Sequence, residues 1–361
     1  MNESENLLIQ ALRAPQTVSR FSMDQWAVCL RQARQARVLG RLSILVEQVR
    51  PKLELPGKAV DLLEAGRTIA AGHERAVRWE ISRIEYALGA IEIPIVLLKG
   101  AAYVMKGLPA ARGRLHSDVD ILVPQDRIAL VESTLLQKGW EPTRHDSYDD
   151  HYYRAWSHEL PPLQHKERKT IVDIHHNILP VKGRLHPDPR LLLASAEELP
   201  GTKLKVLSPP DMVLHSAAHM FQDGELAGSL RDLTDLDDLL RDFGAAEGFW
   251  DALASRARLL GLGRPLFYAL RFTRSFFATP VPPEAIKAAA RSAPPGVVVS
   301  LMDFLVHRAL APTDGKSPSA RLAGLALYIR SHWLRMPPFL LTRHLLVKGF
   351  RRLIGPPAGP H

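Results

Sequence analysis

Cysteine is almost absent from this 361-residue chain: Cys29 is the single one. That excludes an intrachain disulfide and an all-cysteine zinc cluster, and it points to a reducing compartment. Long hydrophobic runs are also missing. The apolar stretch around residues 322–329 falls far short of the roughly 20 residues that a membrane-spanning helix needs. The opening MNESENLLIQALRAPQ lacks the basic, apolar and cleavage regions of a secretory signal, so the expectation is a cytoplasmic protein with no transmembrane segment. The chain has no internal repeat, no Gly-x-Gly-x-x-Gly and no Gly-x-Ser-x-Gly. Acidic residues are absent from 315–361, which hold eight Lys and Arg. Residues 1–314 carry 39 basic and 38 acidic side chains, so all but one unit of the net charge of +9 sits in the tail and a diffuse nucleic-acid-coating surface is excluded.

With 46% apolar residues, the chain has material for real cores over two or three modest domains. Residues 24–50 and 57–90 place apolar side chains at helical spacing, with Pro51 and Pro56 between them. At residue 91 the texture changes. IPIVLL reads as a buried strand that stops at Lys99-Gly100 and feeds a short helix from Ala101 to about Met105. Residues 118–123 read as the next strand. Residues 125–138 read as a helix with Ile128, Val131, Leu135 and Leu136 on one face, closed by Gly139. Residues 140–144, 152–156 and 170–175 read as further strands, and from Ser208 the pattern is helical again. The expected fold is α+β: an N-terminal helical segment (1–90), a mixed-sheet core (91–180), a helical domain (181–314) and a basic helical tail (315–361).

Asp118 and Asp120 stand two apart in a strand, so both carboxylates leave the same face. They read either as solvent-facing residues of an edge strand or as a cation site. Two adjacent carboxylates repel, and a divalent cation such as Mg²⁺, which prefers hard oxygen ligands and substrate phosphates, relieves that repulsion. A third carboxylate on a neighbouring strand would complete a two-metal site, and Asp173, in TIVDIHH, can supply it. Lys99-Gly100 follows a strand and opens a helix, which brings free backbone N–H groups to the same sheet edge. Gly100 lets a phosphate approach, and Lys99 adds a point charge for a triphosphate oxygen.

The order LLKGAAY, then Arg-x-x-Ser-Asp-Val-Asp-Ile-Leu-Val over 114–123, then VDIHH resembles the uncharacterised nucleotidyltransferase family of the DNA polymerase beta-like superfamily. The resemblance implies that Asp118, Asp120 and Asp173 bind Mg²⁺, two ions in all, and that Lys99-Gly100 holds the phosphates of an NTP, with ATP the default. It implies transfer of a nucleoside monophosphate to an acceptor with release of pyrophosphate. The acceptor is open: a small molecule, a peptide or protein, or RNA. Arg114 either contacts phosphate or pairs with an acidic neighbour. His176 stands where an aromatic residue is common, which puts base stacking there in doubt. Arg231, Asp232 and Asp235 match a family region that lines the acceptor side or braces two helices.

Two other functional readings stand beside this one. A nucleotide-binding or assembly module without turnover would keep the fold. A metallohydrolase would use the histidines, and His215 and His219 have zinc-ligand spacing, but Ser216 occupies the place of the glutamate that the protease motif requires. Their alternative role is helix packing, as core placement is for Cys29. The basic tail either packs its apolar face on the body, docks an anionic partner such as RNA or an acidic membrane, or does both.

Overall fold

The computed structural model describes residues 6–49, 54–143, 157–180, 183–222, 226, 228–311 and 317–335. Helices α1 (Leu7–Arg13), α2 (Met23–Gln35), α3 (Leu39–Val49) and α4 (Gly57–Leu88) come first. The helical spacing of 24–50 is interrupted at Arg37, whose φ of 59° lies in the left-handed region and separates α2 from α3. Helix α2 starts at a capping box between Ser22 and Gln25 and buries Cys29, whose thiol burial pushes up to about 12. That agrees with core placement and leaves no thiolate for nucleophilic chemistry.

Strand β1 (Ile95–Leu97) leads into α5 (Lys99–Lys106). Then follow β2 (Asp118–Leu122), α6 (Ile128–Gln137), β3 (Trp140–Pro142), β4 (Leu163–His165) and β5 (Ile171–His175). Helix α6 buries Val131 and Leu135 but leaves Leu136 at its outer face. The expected strand at 152–156 lies outside the described residues. Helix α7 (Pro189–Ala194) precedes β6 (Glu197–Glu198) and β7 (Leu204–Val206). Helices α8 (Pro209–Gln222), α9 (Leu230–Phe243), α10 (Phe249–Leu259), α11 (Gly263–Phe277), α12 (Pro283–Ala290), α13 (Gly296–Leu310) and α14 (Pro318–Arg335) complete the described chain. Of the basic tail, α14 is described and residues 336–361 are not. Among the described residues no helix is long and apolar enough to cross a membrane.

The fold is α+β, with one seven-stranded mixed sheet in the order β3-β4-β5-β2-β1-β7-β6. The sheet reaches past the 91–180 segment expected to hold it: β6 and β7 come from the stretch read as purely helical, and β7 pairs parallel with β1. Strand β2 is interior, between antiparallel β1 and parallel β5, which overturns the edge-strand reading of Asp118 and Asp120. Strand β1 is buried on both faces, which is why it reads as an unbroken apolar run. On β2 and β5 the apolar set Val119, Ile121, Val172 and Ile174 packs the core face, so the opposite parity carries Asp118, Asp120, Asp173 and His175.

Two buried charge clusters fix helices to this sheet. Arg168, in the β4–β5 turn, makes a two-pronged contact to Glu80 of α4 (2.8 and 3.0 Å) and lies over the Trp140 ring. Arg41 of α3 pairs with Asp238 of α9, lies 3.7 Å from Asp235 and donates to the Ala110 carbonyl at 3.2 Å. Such buried pairs stabilise one arrangement of elements mainly because losing either partner strands a charge.

Candidate active site

The register of β2 against β5 sets Asp120 directly beside Asp173, with Asp118 two residues earlier on the same face. Strand β1 ends at the same level. The Leu98 amide donates to the Asp120 carbonyl (3.0 Å), and the chain turns there into α5. Lys99 takes the turn at a φ of 43°, a left-handed conformation that a non-glycine residue holds only when its surroundings enforce it. Its Nζ donates to Asp120 Oδ1 at 2.8 Å. Helix α5 starts without a side-chain cap on its first amides.

Burial raises the cost of the Asp120 charge, but Lys99 and His175 overcome it and hold its carboxyl well below the usual range. Burial likewise opposes the Lys99 ammonium, and Asp120 restores it, so its pKa rises. Asp173 has no such cation. Burial first and then Asp120 push it up from 3.8 to about 7 against the pull of His175, with lesser contributions from Glu159 and Asp118. Its Oδ1 is buried with no hydrogen-bond partner among the described residues. Four carboxylates thus converge on one lysine and one histidine.

His175 is a site member whose role the sequence left unassigned. Its Nε2 meets Asp120 Oδ1 at 3.0 Å, and its Nδ1 lies 3.3 Å from Glu159 Oε2. Burial works against its protonation, yet the Asp120 hydrogen bond and Glu159 raise its pKa. The signal was present: two residues after Asp173 in a strand, His175 must share its face. Glu159 and His158 gave no comparable signal, because they lie in WSHELPP, outside any periodic run, and reach the site through an isolated bridge to His175.

The other expected residues sort differently. Arg114 is buried and donates Nε to Asp235 at 2.8 Å, with NH1 3.3 Å from His116 Nδ1, so it takes the pairing role. It also occupies the space at Gly100. A Cβ there would collide with the Arg114 guanidinium and sit 2.8 Å from His116 Nδ1, so Gly100 is required for close packing of its own chain. Burial first, then Arg114, lowers His116 from 6.5 to about 3. Asp235 braces α9 to Arg114 and Arg41, and Arg231 pairs with Asp232 at 3.0 Å. His215 and His219 meet edge to face on α8, with His215 buried and kept neutral chiefly by burial. The His176 amide donates to the His158 carbonyl at 2.9 Å.

A cleft of about 180 Å³ opens at Asp118 between α4 and the starts of β2 and β5, lined by His73, Glu80, His116, Ser117 and Thr170 among others. A larger cavity of about 440 Å³ lies between α11, α12 and α13 and shares no residue with the carboxylates. The larger cavity and the carboxylate cluster are therefore separate features of the fold.

An interior Asp-x-Asp strand, a third aspartate in register and a strand-to-helix turn at Lys-Gly agree with the sequence pattern of the uncharacterised nucleotidyltransferase family, which matches residues 22–278. The chain belongs to that family. Among solved structures it is similar to an antigenic nucleotidyltransferase-like protein from Paracoccidioides brasiliensis, at 14% identity and a TM-score of 0.32 over 59% of this chain and 96% of that one. No curated protein matches the sequence.

Proposed function

We propose that the protein is a Mg²⁺-dependent enzyme that moves a nucleoside monophosphate from an NTP, ATP by default, to an acceptor, releasing pyrophosphate. The observation that carries this reading is Asp173: a carboxyl in register with Asp120, crowded by Asp118 and Glu159, with a buried oxygen that has no hydrogen-bond partner among the described residues. Hard oxygen donors in mutual repulsion fit Mg²⁺, and Asp118, Asp120 and Asp173 would hold it. Bound there, the metal would supply charge neutralisation on the phosphates and acidify the attacking group.

The chain's own groups carry the rest. Asp173, ionised, accepts the proton of the acceptor as its oxygen or nitrogen attacks the α-phosphorus and the bond to pyrophosphate breaks. Lys99, held at Asp120, would supply a positive charge beside the aspartates to balance a triphosphate oxygen. The first amides of α5, which have no side-chain cap, would add backbone donors for the phosphates. Arg114 acts indirectly, bracing the Lys99-Gly100 turn from below while bound to Asp235.

The test is incubation of the chain with each α-labelled NTP, Mg²⁺ and a cell extract, followed by identification of the labelled species. The expected result is a covalently labelled acceptor that forms only with both chain and Mg²⁺. Bound nucleotide without transfer or pyrophosphate release would make the chain a binding module instead.

A further inference from the structure

We propose that His158, Glu159 and His175 form a second cation site, beside the aspartates, that takes a borderline transition-metal ion such as Zn²⁺. One donor atom from each of the three residues lies within 4.8 Å of the others. Glu159 Oε2 is the shared centre, 3.3 Å from His175 Nδ1 and 4.0 Å from His158 Nε2. A tetrahedral ion with bonds of about 2.0–2.2 Å spaces neighbouring donors by roughly 3.3–3.5 Å, so one of these pairs is already at that spacing and the other needs a small side-chain adjustment.

The second observation is an unsatisfied nitrogen aimed into the cluster. His175 is 2% exposed, and its Nδ1 faces Glu159 with no hydrogen-bond partner among the described residues. Its other nitrogen is engaged by Asp120. A carboxylate that accepts from one imidazole nitrogen fixes the tautomer and presents the lone pair of the other, the arrangement that supports histidine ligands to zinc. His158 is also buried, and its Nδ1 has no hydrogen-bond partner among the described residues.

The backbone holds these groups before any ion arrives. The Leu160 amide donates to the Ile174 carbonyl and the His176 amide to the His158 carbonyl, both at 2.9 Å, which ties residues 158–160 alongside the end of β5. Charge also favours a cation, since Asp118, Asp120, Asp173 and Glu159 outnumber Lys99 and the nearby Arg335. Donor chemistry separates the two sites. Three aspartates suit Mg²⁺, whereas two imidazoles and one carboxylate suit Zn²⁺ or Co²⁺. An ion held on His175 would in turn fix the orientation of Asp120.

The experiment titrates the untagged, EDTA-stripped full chain with Zn²⁺ by calorimetry in excess Mg²⁺, and with Co²⁺ by visible absorption, where imidazole ligation shows in the d–d bands. No nucleotide is present, so the outcome is independent of catalysis. The expected result is one equivalent bound, a tenfold or greater loss of affinity in both Glu159→Gln and His158→Ala, and a change within threefold in Asp118→Asn. Glu159→Gln conserves size and decides alone if His158→Ala does not fold. Absence of Zn²⁺ uptake, unchanged affinity in Glu159→Gln, or an equal loss in Asp118→Asn overturns the proposal. The first two outcomes leave His175 as a charged link between Asp120 and Glu159, and the last moves the ion to the aspartates.

Discussion

Replacing Asp173 by Asn keeps its shape and removes its charge, and the consequence for stability depends on pH. In the folded chain burial and then Asp120 raise this carboxyl from 3.8 to about 7. Between those values the folded state holds a proton that the unfolded state has released, so stability falls as pH rises and levels off above about 7. Each pH unit in that window costs about 1.4 kcal/mol, so from pH 5 to pH 8 the wild type should lose about 2–3 kcal/mol through this group. Other groups also titrate there. Neutral buried His116, His158 and His215 act in the opposite sense, because their lowered pKa values favour folding as pH rises through about 6.5. Subtracting the Asp173→Asn curve cancels them. Urea unfolding in EDTA at pH 5, 6, 7 and 8 should therefore show Asp173→Asn gaining on the wild type by about 2–3 kcal/mol across the series. Added Mg²⁺ should restore the wild type at pH 8 and leave the variant unmoved. A wild-type minus variant difference that stays flat from pH 5 to pH 8 would refute the electrostatic reasoning.

The two aspartates of β2 should separate in stability although the proposed function needs both for turnover. Asp118→Asn should stay within about 0.5 kcal/mol of wild type, whereas Asp120→Asn, which strands Lys99 and His175, should lose about 2–3 kcal/mol, read by chemical unfolding. Gly100→Ala must displace Arg114 and His116 and should cost about 1–3 kcal/mol together with nucleotide affinity, measured by unfolding and by nucleotide titration. Asp235→Asn leaves Arg114 and Arg41 buried with weakened partners, and a loss of about 3 kcal/mol in denaturant is expected.

The parts of the site that the sequence made legible are those with a strand parity behind them. Asp118, Asp120 and Asp173 lie in Val/Ile-flanked runs whose period of two assigns their face, and the register of β2 with β5 then brings them together. The strand-to-helix change at Lys99 was legible for a different reason: IPIVLL is a continuous apolar run, buried on both faces, and Gly100 follows it. Strands β4, β6 and β7 were missed because two or three residues carry no measurable alternation; β7 is a strand through its pairing with β1, not through its own pattern. Arg114 and Asp235 lie 121 residues apart, so their pairing is a property of the packed α9 and has no local trace. Glu159 is illegible on similar grounds, since its place depends on the end of β5 rather than on its own neighbours. Function thus showed where spacing constrains geometry, and stayed hidden where tertiary packing does.

The most direct measurement of the central claim is pyrophosphate release from NTP by the purified chain supplied with acceptor-containing extract, with Mg²⁺ and with EDTA, for the wild type and Asp118→Asn. Asp118→Asn is the aspartate substitution expected to leave the fold nearly untouched, which separates loss of activity from loss of stability. The account predicts Mg²⁺-dependent release by the wild type, none in EDTA, and a loss of at least a hundredfold in Asp118→Asn. Near-wild-type release by Asp118→Asn, or release that persists in EDTA, would contradict it.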